Sequence, residues 1–482
     1  MELRPILSLI GQLIVALGLA MLLPAITDAV AGDNEWQVFA ISSLITTLMG
    51  AGMWASASGN SQTLNLRQAF LLTTMIWLSL TIFGSLPFVW TNLDLSLTDA
   101  IFESMSGITT TGATIMTNLD GASPGILLWR GLLQWFGGLG IVVMAIAVLP
   151  TLKVGGMQMF KAEAFETPDK ILPQAAQIAG GMTTVYGILT LACAFAYWVF
   201  GMDMFEAIIH AMTTVATGGF STRDGGFEEF HSSALDYIAI IFMILGALPF
   251  VLYLVAIQYG QWKKLFQDSQ VRVFLSIVAI VTIAMTWVQV SNSIYQGEEA
   301  FRHALFSVTS IITGTGYATI DYGAWGPFAI TTFFMLTFIG GCTGSTSCGI
   351  KIFRFQVLAR DLSQHVRHIL YPNTVYIKRY NGMPLPDDVS VSVQSFVFLY
   401  FFSFIALSLA LSLSGLDATT AFSGAATAIS NVGPGLGDII GPTGNFSSLP
   451  DVSKWLLTAG MLVGRLEILI ILVLFTPRFW RG

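Results

Sequence analysis

The sequence predicts an all-α polytopic membrane protein, with four pseudo-symmetric helix–pore loop–helix repeats around one pore and two extra N-terminal transmembrane helices. Three observations carry this. Of 482 residues, 54% are apolar and 10% charged, against about 25% charged in ordinary soluble domains. Ten apolar runs approach or exceed the roughly 20 residues a spanning helix needs. A short Thr/Val-Gly element recurs four times between them. The composition excludes a soluble enzyme, a disordered regulator and a disulfide scaffold. Cys193, Cys342 and Cys348 form no framework and no ligand spacing. A net charge of −7 without a basic stripe gives no footprint for nucleic acid.

The runs lie near 5–27, 37–57, 69–90, 125–149, 180–200, 235–258, 271–290, 327–350, 390–413 and 455–475. In hydrocarbon the backbone must satisfy its own hydrogen bonds, so helices are the sensible reading. The first run is too long, and its flank too weakly basic, for a signal peptide. With the N-terminus inside and all ten runs spanning, 16 of the 21 basic residues fall on the cytoplasmic side, as the positive-inside rule requires. They include Lys153, Lys161, Lys170, Lys263 and Lys264, together with the basic loop Lys351 to Arg379. The exceptions are Arg130, Arg223, Arg302, Lys454 and Arg465.

Between the runs lie shorter segments that end in Gly and Thr. They read Thr109-Thr110-Thr111-Gly112, Val215-Ala216-Thr217-Gly218, Thr313-Gly314-Thr315-Gly316 and Ser430-Asn431-Val432-Gly433. Aligned on Gly112, Gly218, Gly316 and Gly433, they recur at roughly 100-residue intervals, the mark of an internal repeat. The expected units are 1–60 (the N-terminal helix pair), 61–170, 171–265, 266–380 (holding an unusual loop at 340–349) and 381–482. Each repeat opens with a spanning run. A segment of roughly ten to fifteen residues follows, usually opening with acids: Asp99 and Glu103, Asp203 and Glu206, Glu298 and Glu299, or Asp417. Acids near a helix start complement its positive end. The segment is too short to cross a bilayer and reads as a re-entrant half-helix. Four such loops around one axis form a ring of backbone carbonyls, the arrangement that replaces the hydration shell of potassium. A single Thr-Gly pair means only close helix packing; four at equivalent positions mean a filter.

Two features lie off the filter. Residues Gly340-Gly341-Cys342-Thr343-Gly344-Ser345-Thr346-Ser347-Cys348-Gly349 interrupt an apolar run with four glycines. Each glycine costs roughly 1 kcal/mol in a helix interior, so a break is expected; the alternative is a small-residue packing face. The spacing to Lys351 is wrong for a phosphate-binding loop. Arg465, about mid-bilayer, costs at least roughly 2.5–3.5 kcal/mol on insertion scales and needs a partner. Glu467 points to a different face. Buried carbonyls would satisfy Arg465 structurally; otherwise it is a positive charge beside the pore. Arg130 is expected near the outer interface. His210 and His303 read as packed or hydrogen-bonded rather than metal-ligating. The Lys351–Arg379 loop, with His365 and His368, either docks a partner or anchors the membrane face.

These motifs resemble the superfamily of Trk, Ktr and HKT cation transporters over essentially the whole chain. The length and the extra helix pair resemble the TrkH and TrkG branch. The resemblance implies a selectivity filter at Thr110, Thr111 and Gly112, at Ala216, Thr217 and Gly218, at Gly314, Thr315 and Gly316, and at Asn431, Val432 and Gly433. It implies an intramembrane gating loop at Gly340, Gly341, Gly344, Ser345, Thr346 and Gly349, and the charge of Arg465 beside the pore reads as part of the same gate. It further implies a homodimer in the bacterial inner membrane, both termini cytoplasmic, with a cytosolic nucleotide-binding regulatory subunit similar to TrkA. No cofactor is expected in this chain beyond the transported K+, and no catalytic constellation is visible. A channel-like path is the first reading. A proton- or sodium-coupled potassium symporter and a broken-helix, alternating-access carrier are the alternatives.

Overall fold

The computed structural model describes residues 2–57, 64–147, 152, 171–373 and 377–481. Lys153, Lys161 and Lys170 lie outside them. Among the described residues, seven helices are long and apolar enough to cross a membrane, and a bent pair makes an eighth.

The first two, Arg4–Ala31 and Trp36–Ala57, form an antiparallel hairpin. They pack backbone to backbone: a Cβ on Gly11 or Gly50 would strike main-chain atoms of the other helix, and Ser43 Oγ donates to the Gly18 carbonyl at 2.6 Å. Small residues permit such approach where lipid supplies no hydrophobic drive between helices. At the outer end of the first span, the buried Asp28 carboxylate accepts from Gly125 N at 2.5 Å. It therefore satisfies a free N–H at the start of helix Pro124–Ala147.

One grammar then repeats four times. A spanning helix comes first: Leu66–Trp90, then Ile171–Val199, Ser269–Ser291 and Asp387–Leu413. A short pore helix follows: Leu97–Ile108, Met204–Val215, Gly297–Thr313 and Ala418–Ser430. Three pore helices start on acidic caps. Ser96 and Asp99 form a capping box, Asp203 accepts from Phe205 N, and Asp417 accepts from Thr420 N.

The helix after each pore loop differs among repeats. In the first repeat, Pro124–Ala147 is continuous. In the second, the run expected as one span over 235–258 is two helices, Ser233–Ala247 and Phe250–Tyr259, bent by 90°. Pro249 stands at the junction, where its missing N–H ends the helical ladder. In the third, Pro327–Thr337 ends halfway and the chain runs as irregular backbone to Ile352. In the fourth, Asp451–Arg465 breaks before Leu469–Leu474, with Glu467 in the left-handed region at φ +57°. The segment read as a basic loop from Lys351 is mostly helix, Ile352–Leu370, followed by a two-stranded hairpin pairing Arg379–Tyr380 with Met383–Pro384.

Candidate ion-conduction site

Each pore helix ends in the same way. At Thr110, Thr217, Gly314 and Asn431 the backbone turns left-handed, with φ of +53°, +50°, +81° and +52°. Each of these residues donates its N–H to the carbonyl three back, at Gly107, Thr214, Ile311 and Ala428. In repeats one, two and four the next N–H reaches five back, from Thr111 to Ser106, Gly218 to Thr213 and Val432 to Thr427. This is a Schellman closure. A left-handed non-glycine residue costs roughly 1–2 kcal/mol, which the two closing bonds offset. The partly negative ends of the pore helices are thereby aimed at the centre.

These caps set the register. Two residues beyond them stand Gly112, Gly219, Gly316 and Gly433. The expected alignment of Gly218 with Gly112 is one residue off: Gly218 holds the register of Thr111, and Gly219 that of Gly112. Ala216 still belongs to the helix end, capping Met204–Val215. The four glycines form a closed ring. A Cβ on Gly112 would overlap the Gly218 carbonyl oxygen, and one on Gly219 the Thr315 oxygen. One on Gly316 would lie 2.9 Å from Gly433 N, and one on Gly433 3.1 Å from the Gly112 oxygen. Each loop thus abuts a neighbour with no room for a side chain. Gly112, Gly219 and Gly316 also carry positive φ near +80°. A vestibule of about 100 Å³ opens on one side of the ring, lined by all four loops.

Side chains hold the loops from behind. Gln134 donates to the Gly218 carbonyl at 2.7 Å and accepts from Phe220 N at 3.1 Å. Asn431 Nδ2 donates to Thr111 Oγ1 at 3.0 Å and to the Met461 carbonyl at 2.8 Å, joining the fourth loop to the first. Arg130, expected near the interface, is buried and bonds Glu103 at 2.8 Å. His210 hydrogen-bonds the Glu206 carbonyl and Ser221, and His303 reaches Thr319. Among the described residues no His/Cys/Asp/Glu group is placed to hold a metal ion.

The irregular segment of the third repeat lies against the inner ends of these loops. Ile339 and Ile350 bridge its two limbs. Its polar backbone is satisfied by protein: Phe250 N donates to the Gly344 carbonyl, Cys342 N to Ala247, Thr346 N to Gly246, and Thr343 N to Gln270 Oε1. Such backbone is tolerated at membrane depth only under that condition. Gly340 has no room for a side chain beside the Cys348 carbonyl, and Gly344 and Gly349 take positive φ. Gly341 N donates to Ser347 Oγ, and Ser345 Oγ to the Cys342 carbonyl. Thr346 Oγ1 donates to the Val215 carbonyl at 3.0 Å and faces Thr217 Oγ1 at 3.3 Å, while Cys348 Sγ lies 3.7 Å from Thr110 Oγ1.

Arg465 touches the same spot. It bonds Cys348 Sγ and the Gly137 carbonyl (3.1 Å), and its guanidinium lies 5.5 Å from the Trp77 ring centre. Its Nε has no partner among the described residues. Glu467 instead pairs with the buried Arg354 at 2.5 Å, and that guanidinium sits 3.6 Å over Phe396. Sequence reasoning missed Gly219, Gln134, Cys348 and both buried pairs. The one signal for Glu103 was an acid well inside a pore helix rather than at its start.

Comparison with known proteins places this geometry. A family model described as "TrkH: Cation transport protein" matches residues 35–481. The Trk system potassium uptake protein TrkI of Halomonas elongata is 46% identical over 481 residues, covering 99% of this chain and 97% of that protein. The Trk system potassium uptake protein TrkH of Escherichia coli is 35% identical over the full length of both. The crystal structure of the potassium transporter TrkH from Vibrio parahaemolyticus superposes with a TM-score of 0.92 at 35% identity, covering 100% of each chain.

Proposed function

The chain belongs to the TrkH family of cation transport proteins, and from that premise we propose that it is the pore-forming subunit of a potassium uptake system in the bacterial inner membrane. The observation that carries this reading is the closed ring of Gly112, Gly219, Gly316 and Gly433 at the convergence of four pore helices. In this reading an outer K+ sheds water against carbonyls of Thr110–Gly112, Thr217–Gly219, Gly314–Gly316 and Asn431–Gly433.

Below the filter, the 338–351 segment and Arg465 form the gate. A fixed guanidinium raises the electrostatic barrier for a cation, and Cys348 ties the segment to that charge. The segment continues into helix Ile352–Leu370, which holds Glu467 through Arg354. A cytosolic nucleotide-binding subunit that pulls on this helix would move both the segment and the break beside Arg465. The chain acts as a homodimer with one pore per subunit, and the basic residues on helix Ile352–Leu370 support cytoplasmic termini.

The test is K+ flux into proteoliposomes under clamped voltage and pH. Flux that follows the K+ electrochemical gradient alone is the expected result. Flux that requires a proton or sodium gradient would replace the channel reading with symport.

A further inference from the structure

The outer rim of the ring is held differently on its two halves. Two residues beyond Gly112 stands Thr114, and two beyond Gly219 stands Ser221. A single guanidinium joins these matched positions. Arg130 Nη2 donates to Thr114 Oγ1 at 3.1 Å, Nη1 to the Ser221 carbonyl at 2.7 Å, and Nε to Glu103 Oε1 at 2.8 Å. Glu103 in turn accepts from Ile115 N at 2.8 Å and from Thr114 Oγ1. The guanidinium lies 4.1 Å over the Phe220 ring. Arg130 is 1% exposed and Glu103 0%, so water competes little for the bond between them, while the half-buried Thr114 lines the vestibule.

No charge occupies the matched place elsewhere. Glu103 lies seven residues before its cap residue Thr110; in the other repeats that position is His210, Ser307 and Gly424. Two beyond Gly316 stands Ala318, which has no polar side chain, and its neighbour Tyr317 is held within its own loop, the carbonyl accepting from Ser310 Oγ; two beyond Gly433 stands Gly435, whose N–H donates to the Ile440 carbonyl.

We propose that Arg130 and Glu103 are positioning residues that fix the separation of the first two filter loops and so set the preference for K+ over Na+ on that half of the ring. The inference rests on the filter reading above. On the cavity-size account of carbonyl filters, the smaller cation is rejected because the carbonyls are kept from closing inward around it. Arg130 supplies three N–H groups in one rigid plane, each aimed at a different segment. Lysine keeps the charge but has no such fork. Arg130→Lys therefore tests geometry at constant charge.

The experiment compares full-length protein in proteoliposomes, measuring K+ and Na+ flux separately beside thermal stability. Arg130→Lys is the main variant. The neutral pair Glu103→Gln/Arg130→Gln, which leaves no unpaired charge buried, decides if the lysine variant does not reconstitute. Gly219→Ser serves as the filter control. The expected result is a K+/Na+ flux ratio lowered about tenfold, equivalent to about 1.4 kcal/mol of discrimination. A stability loss with a wild-type ratio, while Gly219→Ser loses selectivity, would show a structural role only and overturn the proposal. A wild-type ratio in Gly219→Ser as well would sink the filter reading, and this inference with it.

Discussion

The first and third repeats place their second helices against the same ring and treat them in opposite ways. Pro124–Ala147 runs unbroken and reaches the filter with the side chains of Arg130 and Gln134, while its Gly137 carbonyl accepts from Arg465. Pro327–Thr337 stops, and the chain that follows touches the filter from within the membrane through Thr346 and Cys348. A continuous helix satisfies its own backbone and leaves its side chains free to hold others. An interrupted one spends its backbone groups on borrowed partners at Gly246, Ala247 and Phe250, and those contacts can be exchanged. Pseudo-symmetry fixes where each element stands, while continuity of the ladder decides whether its backbone groups bond within the helix or to neighbouring segments.

The largest expected effect comes from cutting into the interrupted segment proposed as the gate. Removing Thr343, Gly344 and Ser345, or replacing Arg465 with alanine, should raise K+ flux without the regulator by about tenfold, roughly 1.4 kcal/mol off the barrier, at an unchanged K+/Na+ ratio. Liposome flux no faster than wild type from folded protein would make Arg465 a structural residue and the interrupted segment a structural one.

Serine at Gly112, Gly219 or Gly316 should act on the ratio instead, lowering it about tenfold. Each position combines positive φ with a neighbour too close for a side chain. Gly433→Ser should do less, because Gly433 is not among the positive-φ positions and its nearest clash is 3.1 Å. Gly218→Ser should also do less than Gly219→Ser, since the atoms it meets belong to a side chain, the Gln134 amide, rather than to the backbone of the next loop. Equal defects at Gly218 and Gly219 would return the ring register to the one read from the sequence.

Glu467→Gln sharpens the comparison from the fourth repeat. It leaves the Arg354 guanidinium buried without its carboxylate, and should cost about 1–3 kcal/mol of stability after allowance for partial exposure of Glu467. Thermal unfolding reads this directly, and an unchanged midpoint would free the helix break from that pair.

The smallest effect concerns helix Ile352–Leu370, proposed to face the cytoplasm. Arg367→Glu should weaken co-purification of the proposed regulator about two- to fivefold, the scale of exposed ion pairs; Arg360 is half-buried over the Tyr380 ring and would report packing as well. Arg354 is unsuited to that test, because it is buried against Phe396 and Glu467. Undiminished association would move the dock elsewhere.

The sequence made the four loops legible because a left-handed cap and a close approach both demand small residues, and those residues recur. It misplaced the second loop by one because Thr217-Gly218-Gly219 offers two glycines and Thr217 takes the left-handed position. Residue identity cannot reveal which residue closes a helix. The bend at Pro249 was hidden in a run apolar throughout, and helix Ile352–Leu370 was hidden by its charges. The break around Gly340–Gly349 was readable, since four glycines cannot all sit in a helix without cost. The partnership of Glu103 with Arg130 follows no periodicity. It depends on how a pore helix folds back beside the next span, which only the assembled repeat determines.

The buried carboxylate of Asp28 bears on how the chain is built during synthesis. Chains emerge N-terminus first, so the opening hairpin is available before Gly125 leaves the ribosome. Until then it holds an acid whose N–H partner has not been made and which water at the end of the hairpin must solvate, since the helix that covers it is also still missing. Arrival of Pro124–Ala147 supplies that partner and fixes the outer end of the helix that carries Arg130 and Gln134. The hairpin is thus a template in the order of assembly, and the first repeat can be docked on it before the other three exist.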